Sequence, residues 1–204
     1  MTPWETFYKE KVTFILTDSK SVVDVGGGLR ISKVAGNRYD PRHRWMEPLL
    51  SRVEYTILDT TPTYHPDIIG DIQALPFEDD SQEAIVCLSV LESVEDPMKA
   101  MHEIRRVLKQ GGYAFLYVPF LYYYHAEKGY YKDFWRFSED AVSYLCKDFS
   151  SVEIQKLHGA IETWIKISPL GRSRLLLFLA RIGDVVFRKT ESKQTSGFYV
   201  FLKK

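Results

Sequence analysis

The sequence predicts an open, doubly wound α/β domain built on a mostly parallel sheet. Three observations lead there. Short apolar runs alternate with helical stretches along the first 150 residues. Most of those runs are apolar along nearly their whole length, as strands buried on both faces are. The composition is that of an ordinary globular chain, with 45% hydrophobic and 26% charged residues. Strand–helix–strand alternation implies right-handed crossovers and a sheet covered on both faces.

Strands are expected at 22–25, 55–58, 84–88 and 113–118, the last three rich in β-branched or aromatic residues. Asp96 and Pro97 form a helix start, with Met98, Met101, Ile104 and Leu108 on one face and Gly111 and Gly112 as the stop. A second helix is expected over 41–50, and a third from Ser138 to about Cys146, with Glu139 and Asp140 suited to its N-terminus. Two further strands, 151–157 and 198–202, enclose a helical stretch at 173–188. A gap of that size with structure of its own reads as a helical insertion over 160–190, divided at Pro169 and Gly171, within one domain spanning 1–204.

Several functions are excluded by composition. Lys+Arg and Asp+Glu number 27 each, so no global basic field draws nucleic acid. Cys87 and Cys146 are too few for a disulfide framework or a zinc site, and the five histidines are scattered without ligand spacing, so no metal is expected. The first twenty residues hold no apolar core of signal-peptide length. The longest uncharged run, 110–126, is shorter than a bilayer span and is interrupted by Gly111, Gly112 and Pro119. A soluble cytoplasmic protein is the expectation.

The sharpest local signal is Val22, Val23, Asp24 and Val25 running straight into Gly26, Gly27 and Gly28. Such a turn lets the backbone approach a ligand closely. The dinucleotide fingerprint fails, because its third glycine would fall at Ile31. Asp59 closes the strand at 55–58, where an acid can accept from ribose hydroxyls, and Asp71 with Ile72 could hold an adenine. Singly, each acid could be a cap or a solvated loop residue. Three acids at the ends of three successive strands point to a nucleoside-like ligand.

Segments 22–28, Asp59, 71–77, 84–97 and 105–112 together resemble the successive motifs of class I S-adenosylmethionine-dependent methyltransferases. The group in question is the type 11-like one, whose pattern reads D-x-G-x-G, D, D-x-x-x-L-P-F, L-E-H-V-x-D-P, R-V-L-K-P-G-G. The resemblance implies a Rossmann-like, seven-stranded sheet with its last strand antiparallel, for which 196–203 is suited. It implies S-adenosylmethionine as cofactor. Asp24, Val25, Gly26, Gly27 and Gly28 would then hold the methionine moiety, Asp59 and Thr60 the ribose, and Asp71 and Ile72 the adenine. Ser89 and Val90 would face the sulfonium. Arg30 replaces a motif glycine, Ser93 a common histidine and Gln110 a common proline. From Asp67 to Glu103 there are ten acids and one base, Lys99, which suits a sulfonium or, more plainly, a solvated acidic face.

The acceptor is expected at the loop after the fifth strand, which opens on the same rim. Tyr123, Tyr124, His125, Tyr130, Asp133 and Arg136 are its substrate-binding candidates. His125 is the candidate catalytic base, although packing and hydrogen bonding could equally account for it. The stretch P-F-x-x-x-x-H followed by D-F-W-R-F-S-E-D is similar to methyltransferases of cell-surface glycan and polysaccharide biosynthesis, which implies a sugar hydroxyl. Ser89, Val90, Leu91 and Glu92 replace the Asn/Asp-Pro-Pro-aromatic signature of base-modifying relatives, so no nucleic-acid partner is implied. A small-molecule O- or C-methyltransferase and a non-catalytic binding relative are the alternatives. Residues 172–204 hold eight Lys/Arg against two Asp/Glu beside an apolar helix. That segment could be a lid, a packed helix, a subunit contact or a peripheral membrane contact through 172–188. The oligomeric state stays open.

Overall fold

In the computed structural model, which describes residues 1–33 and 38–204, the apolar runs all enter one sheet. Its strands are β1 (Ser21–Val25), β2 (Glu54–Asp59), β3 (Ile68–Ile69), β4 (Gln82–Leu88), β5 (Leu108–Pro119), β6 (Ser151–Leu157) and β7 (Gly197–Lys203). They lie in the order β3-β2-β1-β4-β5-β7-β6. The first five are parallel, and β7 runs antiparallel to both β5 and β6. The order reverses between β1 and β4, so a crevice opens at the carboxyl ends of those strands.

Both faces of the sheet are covered. One carries α3 (Pro97–Val107) and α4 (Glu139–Leu145), whose Met101, Ile104 and Val142 join Val23, Ile85, Leu116 and Val200. The other carries α1 (Pro3–Asp18), whose Val12, Ile15 and Leu16 pack with Val22, Val86 and Phe115. The sequence reading contained neither α1 nor the two-residue β3. The signal for α1 was present: Thr2 accepts from Glu5 N–H, the Glu5 carboxylate reaches back to Thr2 N–H, and Pro3 takes the first position.

Two expected helices differ in extent. The segment 41–50 is a 3₁₀ turn, Pro41–Met46, followed by a single turn, α2 (Glu47–Leu50). Pro48 lacks the N–H that would join the two into one helix. The helix begun at Asp96 stops at Val107, not at Gly111, because Leu108 already pairs with Gln82 at the start of β5. Met98 is exposed and Leu108 belongs to the sheet, so the inward stripe is Ala100, Met101, Ile104 and Val107. Gly111 and Gly112 instead occupy an irregular stretch of β5, with Gly111 at φ +79° and Lys204 N–H donating to Gly112 O at 2.9 Å.

Between β6 and β7 the chain forms α5 (Ala160–Ile167) and α6 (Arg174–Val186), packed on one another. The Asp184 carboxylate on α6 accepts from Ile161 N–H (2.8 Å) and Glu162 N–H (2.9 Å), capping the start of α5. Among the described residues no helix is long and apolar enough to cross a membrane.

Candidate cofactor and acceptor cleft

β1 delivers the chain to the crevice at Val25, and the backbone turns on Gly26 (φ +76°) and Gly27 (φ +58°). A Cβ at Gly26 would lie 2.6 Å from Val90 Cγ2, and one at Gly28 would lie 2.6 Å from Leu88 Cβ. The turn therefore lies flat against the end of β4. Its N–H groups are already used: Gly26 donates to Leu58 O at 2.7 Å, Gly28 to Asp24 Oδ1 at 3.1 Å and Leu29 to Asp24 Oδ2 at 3.0 Å. The glycines give the cleft room, not free donors.

Asp24 lies below that turn, fully buried, and also accepts from the Tyr55 hydroxyl. Burial pushes its pKa up to about 7, against the pull of its three donors. It does not reach the cleft, so the ligand contact expected of Asp24 becomes a role in holding the turn from behind.

Val25, Gly26, Gly27, Gly28, Asp59, Thr60, Asp71, Ile72, Ser89 and Val90 all line one cleft of about 1220 Å³. Asp59 is the last residue of β2, and Thr61 N–H donates to its Oδ1 at 2.8 Å, fixing the carboxylate at the strand end. Asp71 opens a tight turn by accepting from Gln73 N–H at 2.8 Å, and Ile72 is buried beside it. Ser89 sits at φ +58° with its N–H on Tyr117 O, so the chain bends away just past β4. A polar nucleoside fits this end: two carboxylates on the wall, an apolar side chain between them, and a turn with no space for Cβ atoms.

The same cleft continues toward Trp4, Tyr8, Trp45, Tyr122, Tyr199 and His158. Tyr123, His125 and Tyr130 line it, but Tyr124, Asp133 and Arg136 do not. Tyr124 is 75% exposed outside it. The Arg136 guanidinium holds the carbonyls of Tyr122, Tyr123 and Trp135 and pairs with Asp133, whose carboxyl it keeps below the ordinary range. These two residues brace the loop; the substrate contact expected of them is not what the structure places there.

His125 sits between two acids. Its Nε2 lies 3.4 Å from Glu92 Oε1, and its Nδ1 is 3.3 Å from Asp133 Oδ2 and 3.2 Å from Tyr123 O. The Glu92 carboxylate beside it raises its pKa. The Arg136 guanidinium also approaches Nδ1, at 3.5 Å. These contacts tie His125 to Glu92 and to the Asp133–Arg136 pair at the edge of the cleft it lines.

Sequence reasoning missed Glu92. It is completely buried, its carboxylate makes no close hydrogen bond among the described residues, and its carbonyl accepts from Phe134 N–H (2.7 Å) and Trp135 N–H (3.1 Å). Its sequence signal is the acid of the L-E-H-V-x-D-P pattern, here Leu91, Glu92, Ser93 and Val94. A second group was also missed. Arg38 pairs with Glu127 at 2.9 Å and donates to the Tyr64 hydroxyl, while the Tyr64 and Tyr130 rings stack at 5.5 Å. These contacts join the loop after β5 to the turn after β2, the two rims of the cleft.

The acidic segment 67–103 reads differently in three dimensions. Asp67 accepts from Ile57 N–H, Glu103 and Asp79 pair with Arg106, Asp80 with Lys204, and Glu83 with Lys109. Of the ten acids only Asp71 and Glu95 line the cleft. The negative rim expected for a sulfonium is largely structural ion pairing.

The family described as a methyltransferase domain matches residues 50–116, which run from the end of α2 into β5. Among solved structures, an S-adenosylmethionine-dependent methyltransferase from Archaeoglobus fulgidus superposes with a TM-score of 0.59 at 11% identity, covering 100% of both chains. One from Mesorhizobium loti gives 0.56 at 12% identity, over 93% of each chain. One from Thermotoga maritima gives 0.54 at 15% identity, over 96% of this chain and 86% of that one. The chain has the class I S-adenosylmethionine-dependent methyltransferase fold. No curated protein matches it. The methyltransferase family match and the methyltransferase fold together imply S-adenosylmethionine as cofactor, and the residues at the glycine-turn end of the cleft fit it.

Proposed function

We propose that residues 1–204 form one methyltransferase domain, with 160–190 inserted in it, that O-methylates a hydroxyl of a sugar or glycoconjugate. The observation that supports this most is the continuity of the cleft: a nucleoside-shaped end bounded by Asp59, Asp71 and Ile72 runs without a break into an end lined by Trp4, Trp45, Tyr122 and Tyr199. Aromatic walls with a few convergent polar groups suit a polyhydroxylated acceptor. The P-F-x-x-x-x-H and D-F-W-R-F-S-E-D stretches favour the same class.

Bound S-adenosylmethionine supplies a methyl group on a cationic sulfur, already activated for displacement. What the chain adds is alignment, worth up to about 7–11 kcal/mol in favourable systems. With S-adenosylmethionine bound, Asp59 would hold the ribose, Ile72 would pack on the adenine, and Val90 and Ser89 would border the reacting end. His125, Glu92, Asp133 and Arg136 hold the aromatic loop in place, and the Arg38–Glu127 pair ties that loop to the turn after β2 through Tyr64.

The test is calorimetry with S-adenosylmethionine, then transfer of labelled methyl to a panel of nucleotide sugars, glycolipids and phenols. Heat on binding and label in a sugar hydroxyl are expected. Label in phenols alone would move the acceptor to another class, and no heat would end the enzymatic reading.

A further inference from the structure

The helix α6 is amphipathic in the wrong sense for a helix facing water. Its buried residues are Ala180 and Asp184. Its outer stripe is Leu175, Phe178, Leu179, Ile182, Val185 and Val186, each between 45% and 67% exposed. Those positions recur at helical spacing, so they form one continuous face. A surface helix normally turns such a stripe toward the core. Trp164, Ile167 and Leu170, on α5 and the turn after it, and Phe187, just past α6, are exposed as well. Contiguous exposed apolar surface of this kind marks a contact site.

Charge identifies the partner. The two acids between Ala160 and Lys189 are both turned inward. Glu162 is 1% exposed and held by Arg181 (2.6 Å), and Asp184 is 1% exposed and caps α5. Arg172, Arg174, Arg188 and Lys189 remain exposed at the two ends of α6. The face is therefore apolar in the middle and basic at its ends, with one exposed acid, Glu191, two residues past Lys189.

We propose that this face docks on an anionic lipid bilayer, with the α6 stripe and Trp164 in the headgroup boundary and the flanking arginines on lipid phosphates. A second copy of the chain fits less well, since a two-fold contact would bring the same arginines toward each other. Lys166 on α5 and His158 at the end of β6 line the cleft, so a docked molecule holds its acceptor end beside the membrane. The docking itself does not depend on the identity of the acceptor.

The test uses the full chain and vesicles of phosphatidylcholine with or without phosphatidylglycerol. Co-sedimentation is expected only with the phosphatidylglycerol vesicles, and added salt weakens it. Each of Arg172→Gln, Arg174→Gln and Arg188→Gln should weaken binding roughly fivefold. The pair Phe178→Ser and Ile182→Ser should abolish it with the charge unchanged. Circular dichroism and urea unfolding show whether each variant is folded, and these positions are exposed, so intact folding is expected. Failure to bind phosphatidylglycerol vesicles, or equal binding by all folded variants, overturns the proposal. So does a dimer in light scattering that the Phe178→Ser and Ile182→Ser pair converts to monomer. None of these readouts involves methyl transfer, so they are independent of the proposed reaction.

Discussion

Replacing His125 with Ala removes the ring nitrogen that lies 3.4 Å from the Glu92 carboxylate. Glu92 is fully buried, so the substitution takes a polar neighbour away from a carboxyl group in the interior. Breaking a buried pair costs about 3–5 kcal/mol. Here the contact is 3.4 Å long and the imidazole side chain is 23% exposed, which places the loss near the lower bound. About 2–3 kcal/mol is expected, since a 3.4 Å contact to a partly exposed ring is weaker than a close buried pair. In a chain of 204 residues that lowers Tm by roughly 4–12 °C. Urea unfolding of His125→Ala, Glu92→Gln and the double variant reads the effect directly. The double variant should recover most of the loss, because an amide needs no counter-cation. The pH dependence has a definite sign. His125 has a raised native pKa, so its contribution is fully present below the unfolded value near 6.5 and fades as pH climbs through the raised one. The gap between wild type and His125→Ala should narrow over that interval. A His125→Ala variant as stable as wild type, or a double variant as weak as the sum of the singles, would refute the reasoning.

Two further outcomes follow from the geometry. Asp59→Ala should weaken S-adenosylmethionine binding by about 10- to 100-fold, the worth of one or two hydrogen bonds to a charged group; calorimetry measures it, and unchanged affinity removes the ribose assignment. His158 behaves oppositely to His125: it is buried, its Nε2 faces Lys166 Nζ at 3.0 Å, and burial pushes its pKa down to about 3. The unfolded chain then binds the extra proton, so stability should fall as pH drops from about 6.5 toward 3, and His158→Gln should flatten that acid limb in urea titrations.

The central strands, the glycine turn and the acid closing β2 were legible because each is a local pattern: an apolar run, a glycine cluster, a carboxylate at a fixed offset. What stayed hidden depends on partners distant in the chain. Nothing near Glu92 announces that His125 will face it, or that Lys204 and Arg106 will occupy acids of the 67–103 segment. Asp24 carried the expected motif but points into the core, where four successive β1 residues are buried. Gly111 and Gly112 have the chemistry of a helix stop, yet the sheet claims Leu108 first. The apolar stripe of α6 was visible as a pattern, while its outward direction was not, because periodicity fixes a face without saying where that face points.

The registration of the last two strands has one more consequence. Leu157 and Gly197 are paired neighbours, so the chain leaves the sheet and rejoins it at a single point. The segment between them returns to the point it left, and doubling its length would cost only about 0.6 kcal/mol in closure entropy. Such a cassette can be lengthened, trimmed or exchanged while the glycine turn at the end of β1, three strands from β7, keeps its geometry.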